Sequence, residues 1–328
     1  MKYIKTFEEA TWWKKYTKYK LSAYPVNIPE EDVEIDLSGD IHSHPVMTWN
    51  SPTTGKKVYS YTKERMEAQK AEKYARVEKL SREQVEQMKV ACHDILTTDG
   101  KDDDEKQAAA IISIISQTGL RPGSKKGFET TKNRGVTTLA VENITIKGST
   151  VKLNFVGKSY HDNTAEFEDG VVANYLANRM KGMKKTAFVF DVSRAEIDKL
   201  MKSTKMENVK VKDLRTHIAN RIAQDFLEKD PTPPPPVPDA PKEIKKAVKA
   251  KLKKAFETVS QKLNNSPAMA KGSYVNPAII SAWLGKLGIV ASMVEERGDE
   301  EIMVVGNVPI YKMPDWWNSD EHELIKED

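Results

Sequence analysis

The spacing of apolar residues near the N-terminus is typical of β-strands. In DVEIDLS, residues 32–38, apolar side chains alternate with acidic ones, and Val58, Tyr59 and Tyr61 form a second β-favouring run after the turn SPTTG. Alternation with a period of two indicates a strand with one buried face. Residues 1–80 are therefore predicted to form a small β-rich domain.

Helix-forming residues dominate from Thr62 onward. Ser81, followed three residues later by Gln84, has the pattern of a helix start, so we place the domain boundary near residue 80. Asp102 to Asp104 then open a further helix, and its apolar run AAAIISIISQ is so nearly continuous that we expect it to be buried. Residues 81–328 are expected to be mainly helical.

A short sheet interrupts these helices. In TVKLNFV, residues 150–156, apolar and polar side chains alternate, and with GVTTLAV and NITI this run predicts a small antiparallel sheet with Lys158 just past its last strand. Three later helices are predicted to begin after Glu166, at the capping box Ser193-x-x-Glu196, and near Asp213. The expected fold class is α+β.

A proline-rich segment and a basic segment follow each other within residues 230–256. The prolines of DPTPPPPVPDAP favour a stiff polyproline II spacer, although a ligand for a proline-reading module is an alternative. The next stretch, KEIKKAVKAKLKK, carries seven lysines and one glutamate. Such a concentration of charge suits a polyanionic partner, and a solvated helix face gives the same pattern.

Composition narrows the class of protein. The formal net charge is +4, 39% of the residues are hydrophobic, and Cys92 is the only cysteine, so no disulfide can form within the chain. The N-terminal residues are too charged for a signal peptide, and no apolar run is long enough to span a membrane. We expect an intracellular protein in a reducing compartment, with no membrane partner.

Four stretches place a basic or reactive residue beside a glycine, proline or helix start: Arg121 in TGLRPGS, Lys158 in FVGKSY, Arg215 in VKDLRTH and Tyr274 in AKGSYVNP. Each has an ordinary explanation when taken alone. Arg121 could cap a helix, Lys158 could be a solubility residue, and Arg215 could pair with Asp213. Most tyrosines, likewise, only pack and form hydrogen bonds.

Together, two arginines, a lysine and a tyrosine suit phosphoryl transfer without a metal. Guanidinium groups bind phosphate oxygens in a bidentate manner, a lysine can protonate a leaving oxygen, and a tyrosine can form a covalent bond to phosphorus. The sequence contains no GxxxxGK[ST], GxGxxG or GxSxG motif and no completed set of metal ligands. Neither ATP nor a metal cofactor is expected.

The four stretches, in this order, resemble the active-site blocks of type IB DNA topoisomerases of the small class found in poxviruses and bacteria. Arg121 and Lys158 are 37 residues apart, and Lys158 and Arg215 are 57 apart, both close to what that family shows. The resemblance includes GVTTL and TTGKKVYSYT, and it runs discontinuously from about Trp49 to Trp283.

The resemblance implies a role for each matched residue. Tyr274 would attack one DNA strand and form a 3′-phosphotyrosyl link, releasing a 5′-hydroxyl that later attacks to reseal the strand. Arg121 and Arg215 would hold the scissile phosphate, and Lys158 would protonate the leaving 5′ oxygen. Asn265 stands where the poxvirus pattern has a histidine and would donate a hydrogen bond without carrying an imidazolium charge.

The same resemblance implies a monomer that closes around double-stranded DNA as a C-shaped clamp and relaxes positive and negative supercoils. It also provides candidates for DNA contact outside the catalytic set: Lys57, Tyr59, Tyr61 and Lys271. For the two tyrosines, packing against a core is the alternative.

Two rival functions remain at this stage. A tyrosine recombinase or integrase shares the catalytic set, but its second arginine normally lies in H-x-x-R, where this chain has Lys212, and its N-terminal domain is helical. A non-catalytic DNA-binding clamp is the second rival. Retention of all four reactive residues argues against it.

Overall fold

The computed structural model describes residues 9–38, 40–41, 43–53, 55–204, 206, 208–229, 241–286, 303–305 and 308–310. The chain divides into two compact units, Met1–Lys73 and Tyr74–Asp328. This division falls inside the first α-helix, α1 (Lys63–Glu78), a few residues before the boundary predicted near residue 80.

The N-terminal unit contains a three-stranded antiparallel sheet with the order β1-β2-β3. Its strands are β1 (Val33–Ile35), β2 (Met47–Asn50) and β3 (Lys57–Ser60), and a 3-10 helix, Glu9–Tyr19, precedes them. The strands predicted around DVEIDLS and Val58 are confirmed, although Tyr61 lies just beyond β3. Apolar side chains on one side of the sheet form a small core that includes Val33, Met47 and Trp49.

The helix predicted to start at Ser81 is confirmed as α2 (Arg82–Thr97). The hydroxyl of Ser81 accepts a hydrogen bond from the backbone N–H of Gln84 at 3.0 Å, and the Gln84 side chain accepts one from the backbone N–H of Ser81 at 2.9 Å. Two backbone donors that the helix itself cannot satisfy are thereby paired.

The apolar run predicted to be buried forms α3 (Asp103–Thr118), and every residue from Gln107 to Ile115 is buried. The helix packs against α2 and against α6 (Arg194–Ser203), so its side chains form the centre of the larger unit. It ends at Gly119, whose φ of 68° is in the left-handed region that favours glycine at a helix C-terminus.

The second sheet differs from the sequence prediction in two ways. Its strands are β4 (Ile144–Lys147), β5 (Thr150–Val156) and β6 (Asp162–Glu168), in that order. The prediction of a strand at GVTTLAV is wrong, because Val136–Thr138 forms a 3-10 turn. The strand β6 was not predicted, and Lys158 therefore lies in the connection between β5 and β6.

The remaining elements are α4 (Lys125–Thr131), α5 (Gly170–Arg179), α6 (Arg194–Ser203), α7 (Asp213–Lys229), α8 (Pro241–Leu263), α9 (Pro267–Ser273), α10 (Pro277–Lys286), β7 (Met303–Val305) and β8 (Val308–Ile310). The three predicted helix starts correspond to α5, α6 and α7. The Ser193 hydroxyl caps α6 by accepting a hydrogen bond from the Glu196 backbone N–H at 3.2 Å. None of the helices in the described ranges is long and apolar enough to cross a membrane.

The lysine-rich stretch belongs to α8, and this helix is part of a core. Val248, Leu252, Phe256 and Val259 are buried in a cluster that also includes side chains of α7, α9 and α10. Lys246, Lys253 and Lys254 are exposed on this helix, whereas Lys251 is buried with the core residues. Of the predicted polyproline spacer at 230–241, residues 230–240 lie outside the described residues and Pro241 begins α8.

Candidate active site

Tyr274 lies where α9 ends, and its backbone N–H donates a hydrogen bond to the carbonyl of Ala270 at 3.1 Å. Ser266 caps the other end of this short helix by accepting a hydrogen bond from the Met269 N–H at 3.2 Å. Pro277 opens α10 three residues later. The phenol is half-buried, so a short connection between two helices fixes its backbone without enclosing the side chain.

The two residues after this tyrosine are held by hydrogen bonds to other helices. The Tyr74 hydroxyl donates to the carbonyl of Val275 at 3.2 Å. The backbone N–H of Asn276 donates to the side-chain oxygen of Asn220 at 2.8 Å, and the Asn276 amide donates to the Glu78 carboxylate at 2.6 Å. These contacts fix the chain on the C-terminal side of the phenol.

Arg121 reaches the phenol from the turn that follows α3. Its Nη2 donates a hydrogen bond to the Tyr274 hydroxyl oxygen at 3.2 Å. The carbonyl of Arg121 accepts a hydrogen bond from the Val136 N–H at 3.0 Å, and a Cβ on Gly135 would lie 2.5 Å from the Gly123 nitrogen. The GVTTL block thus packs directly on the arginine turn, which explains why its residues do not form a strand.

Arg215, in the first turn of α7, is only 2% exposed. Its Nη1 donates to the carbonyl of Gly119, and its Nη2 donates to the carbonyl of Leu263 at 2.6 Å. The Cζ atom of Arg215 lies 4.8 Å from the centroid of the Tyr274 ring. The buried guanidinium therefore links the ends of α3 and α8 beside the phenol.

The ordinary alternative for Arg215, an ion pair with Asp213, is not found. Asp213 is fully buried and accepts hydrogen bonds from Arg76 Nε at 3.0 Å and from the Lys210 backbone N–H at 3.2 Å. Residues two positions apart on a helix face different directions, so the two side chains diverge. Arg215 thus keeps its positive charge beside the phenol while Asp213 neutralises Arg76.

The two guanidinium groups change the acidity of the phenol. Burial raises the pKa of Tyr274, but the charges of Arg215 and Arg121 and hydrogen bonds from both outweigh it, so the pKa is lowered from its ordinary value. Burial is also the main cause that lowers the pKa of Arg215, and the charge of Arg121 adds to it. The site favours negative charge on the phenolic oxygen.

Two of the predicted catalytic side chains carry buried polar atoms with no hydrogen-bond partner in the described structure. They are Nε of Arg215 and both side-chain polar atoms of Asn265. Asn265 follows two residues after Leu263, the carbonyl acceptor of Arg215. Unpaired buried donors are rare because leaving them unpaired costs free energy, so these N–H groups are suited to an added anionic acceptor.

Lys158 is not brought into contact with the phenol. It is exposed at the start of the 3-10 turn Lys158–Tyr160, and no hydrogen bond is described between it and Tyr274, Arg121 or Arg215. The turn is tightly built, because a Cβ on Gly157 would lie 2.3 Å from the amide nitrogen of Asn163. The lysine therefore projects into solvent from a closely packed hairpin end.

Asn264 is a residue near the site that the sequence analysis missed. Its amide nitrogen donates to the carbonyl of Thr164 at 3.0 Å, and its amide oxygen accepts from the Thr164 N–H at 3.3 Å. Its φ of 49° is left-handed, which asparagine tolerates better than most residues. The available signal in the sequence was the pair Asn264 and Asn265 directly before Ser266, which caps α9.

The four predicted DNA-contact residues have different surroundings. Lys57, in β3, forms a hydrogen-bonded ion pair at 2.8 Å with Glu34 of β1, which lies on the other side of β2 in the same sheet. Tyr59 is 52% exposed, whereas Tyr61 is partly buried after the end of β3. Lys271 is partly buried in the last turn of α9. Their contacts with DNA stay predictions.

Comparison with known families gives one match that covers most of the chain. A family model for the catalytic core of eukaryotic DNA topoisomerase I matches residues 62–282, about two thirds of the sequence. This range includes all five predicted catalytic residues. A comparison with curated protein sequences found no match.

Two solved structures of the XerH site-specific recombinase are distantly similar to this chain. The pre-cleavage complex with difH has a TM-score of 0.39 and 13% identity and covers 60% of this chain and 50% of its own. The post-cleavage complex with palindromic difH has a TM-score of 0.40 and 13% identity, with coverage of 66% and 52%. The chain thus matches about half the length of these recombinases.

Proposed function

We propose that this chain, which belongs to the type IB DNA topoisomerase family, relaxes supercoiled DNA without ATP or a metal. The family match confirms the predicted α+β fold of the topoisomerase IB type. In the proposed reaction, Tyr274 cleaves one strand of duplex DNA, and the nicked duplex rotates about the intact strand. This rotation removes positive or negative supercoils before the cleaved strand is resealed. The observation that carries this proposal is the convergence of Arg121 and Arg215 on the phenol of Tyr274.

Cleavage and resealing are the same transesterification run in opposite directions. The Tyr274 oxygen forms a bond to phosphorus as the bond from phosphorus to the 5′ oxygen breaks, which leaves a 3′-phosphotyrosyl link. The phenolic proton is lost and the departing 5′ oxygen gains a proton, so the sum conserves charge and the number of phosphoester bonds. No energy source is needed because the covalent intermediate retains the ester.

The arginines and Asn265 are proposed to bind the nonbridging oxygens of the scissile phosphate. Negative charge grows on these oxygens in the pentacoordinate transition state, where preorganised donors act most strongly. Arg215 Nε and Asn265 Nδ2 are buried donors without a partner among the described residues, and an incoming phosphate would satisfy them. The hydrogen bond from Arg121 to the phenol holds the nucleophile beside the same phosphate.

Lys158 is proposed as the general acid for the 5′ oxygen. It is exposed and without a described hydrogen bond, so its ammonium is available to bound DNA. A general acid contributes roughly 10²–10⁴ to the rate of a step with a poor leaving group. In a substrate whose 5′ oxygen is replaced by sulfur, the sulfur can leave without being protonated. Such a substrate should therefore restore cleavage by Lys158→Ala.

The proposed partner is double-stranded DNA, bound by a monomer. Tyr59, exposed on β3, is the best placed of the predicted N-terminal contacts, since Lys57 is already paired with Glu34. The C-shaped clamp expected from the family resemblance stays a prediction, as does an intracellular, DNA-associated location.

Relaxation of supercoiled plasmid in EDTA without ATP tests this function. The unmodified chain should relax both signs of supercoil, and Tyr274→Phe should not. Tyr175→Phe, which removes a phenolic oxygen from a half-buried tyrosine outside the site, is the matched control and should remain active. Strand exchange between two duplexes, without relaxation, would instead identify a recombinase.

A further inference from the structure

We propose that Asn264 is a positioning residue that aligns the hairpin bearing Lys158 with the chain segment that leads to Tyr274. This inference rests on the proposed function, because it assigns Asn264 an effect on the general-acid step. Asn264 is not one of the five predicted catalytic residues.

The contact between Asn264 and the hairpin imitates strand pairing. Thr164 lies in β6, which pairs with β5 on one side and is an edge strand among the described strands of its sheet. On the other side its backbone N–H and carbonyl are bound by the side-chain amide of Asn264, at 3.3 Å and 3.0 Å. One amide side chain thus replaces a neighbouring strand at this residue.

Asn264 stands between two residues of the active-site segment. The preceding carbonyl, from Leu263, accepts a hydrogen bond from Arg215 at 2.6 Å, and the following residue is Asn265. Ser266 then caps α9, at whose end Tyr274 lies. The segment that contacts Arg215 is therefore attached, through Asn264, to the strand that leaves the Lys158 turn.

The hairpin can transmit this alignment because its end is tightly packed. The Gly157 N–H donates to the carbonyl of His161 at 2.8 Å, and the Asn163 amide donates to the same carbonyl at 2.8 Å. Asn163, which is 4% exposed, directly precedes Thr164. Fixing Thr164 therefore fixes the base of the turn that carries Lys158, and misplacing a catalytic group by about 1 Å can cost about 10²-fold in rate.

The left-handed backbone at Asn264 offers a clean substitution. Glycine adopts a φ of 49° without steric cost, so Asn264→Gly removes the amide while keeping the backbone conformation accessible. Asn208→Gly is the matched control, because Asn208 is exposed, has a φ of 64° and lies outside the site.

Single-turnover cleavage should be measured on ordinary duplex DNA and on the matched 5′-phosphorothiolate duplex. Asn264→Gly is expected to slow cleavage of ordinary DNA by about 10–100-fold, because Lys158 is misplaced. On the phosphorothiolate, which needs no general acid, the variant should cleave at nearly the rate of the unmodified chain. Asn208→Gly should match the unmodified chain on both. Equal slowing of Asn264→Gly on both substrates, or no slowing on either, would overturn the proposal.

A double variant tests whether Asn264 acts through Lys158. If it does, Lys158→Ala with Asn264→Gly should cleave ordinary DNA no more slowly than Lys158→Ala alone. Multiplied losses would contradict the positioning role. Adduct formation at Tyr274 reports separately on the proposed function: its absence in the unmodified chain rejects that function, whereas an adduct without sulfur rescue rejects only the assignment of Lys158 and Asn264.

Discussion

The Nη2 atom of Arg121 lies 3.2 Å from the phenolic oxygen of Tyr274, although 153 positions separate the two residues in sequence. The hydrogen bond joins the turn after α3 to the end of α9. Arg215 approaches the same ring from α7 and is anchored by carbonyls of Gly119 and Leu263. Three distant segments thus meet at one side chain, and the predictions below alter this meeting point or its supports.

Replacing either arginine with alanine should slow DNA cleavage. We expect a loss of roughly 10²–10³ or more for Arg121→Ala and for Arg215→Ala, by analogy with the removal of a preorganised oxyanion donor. Single-turnover cleavage measures the effect. Arg194→Ala, which removes an exposed arginine paired with Asp198 on α6, is the control and should cleave normally. Near-normal cleavage by both arginine variants would contradict the proposed phosphate site.

The pH profile should shift in Arg121→Ala. The charge of Arg121 helps to lower the pKa of Tyr274, so its removal should raise that pKa toward or above its ordinary value. If the phenolate is the attacking species, the rise in cleavage rate at alkaline pH should move to higher pH in the variant. A profile unchanged in position would show that the phenol does not titrate in the rate-limiting step.

Gly119 should be essential to the Arg215 anchor. Its φ is 68°, a conformation that alanine resists, and an added Cβ would lie 2.7 Å from Cδ2 of Leu263, so Gly119→Ala should strain the turn whose carbonyl binds the guanidinium and shift the Leu263 side chain. Gly100→Ala is the matched control, because Gly100 has a φ of 74° with no atom within 4 Å of an added Cβ. Both should lose about 1–2 kcal/mol of stability to backbone strain. Gly119→Ala alone should lose stability beyond this amount, which chemical denaturation measures. It alone should also cleave DNA slowly, which a single-turnover assay measures.

His217 should make stability depend on pH. Burial, followed by the charges of Arg221 and Arg82, lowers the pKa of this histidine in the folded chain to about 4. The unfolded chain, with a pKa of about 6.5, then binds more protons between these values. The contribution of His217 to the free energy of unfolding is therefore greatest above about pH 6.5. It falls by up to about 3 kcal/mol as the pH drops to about 4, and it levels off below that.

His217→Gln should remove this contribution. Denaturant unfolding at several pH values would show a smaller loss of stability between pH 6.5 and 4 in the variant than in the unmodified chain. Parallel pH curves would mean that the histidine is not buried in its neutral form.

The exposed lysines of α8 test whether this helix lies on DNA. Since the apolar face of α8 is part of the core, the helix cannot be deleted cleanly, but Lys246, Lys253 and Lys254 are exposed and can be changed to glutamine. Each phosphate contact contributes about −0.9 to the slope of log affinity against log salt. We expect a shallower slope for the triple glutamine variant and an unchanged slope for the matched triple arginine variant. An unchanged slope in the glutamine variant would place α8 away from DNA.

Local patterns predicted much of the helical structure and three of the residues that meet at the candidate site. The capping box at Ser81, the buried run of α3 and the starts of α5, α6 and α7 are determined by neighbouring residues, so the sequence was sufficient to find them. The motif blocks likewise identified Arg121, Arg215 and Tyr274, which the structure brings together.

Features that depend on distant partners were not predicted. GVTTL has β-favouring residues, but the amides of Val136 and Thr137 bind the carbonyls of Arg121 and Pro122 instead of a strand. An ion pair between Arg215 and Asp213 was the expected local contact, whereas Arg76, far away in sequence, takes the carboxylate. No local pattern could show that the amide of Asn264 binds Thr164.

Covalent capture on Tyr274 tests the central claim most directly. The protein would be incubated in EDTA with end-labelled duplex DNA, trapped with detergent and mapped by peptide sequencing. We expect an adduct that joins Tyr274 to the 3′ end of the break, and no adduct from Tyr274→Phe, which should still bind DNA because only one oxygen is lost. An adduct formed by Tyr274→Phe, or a link to the 5′ end in the unmodified chain, would contradict the assignment.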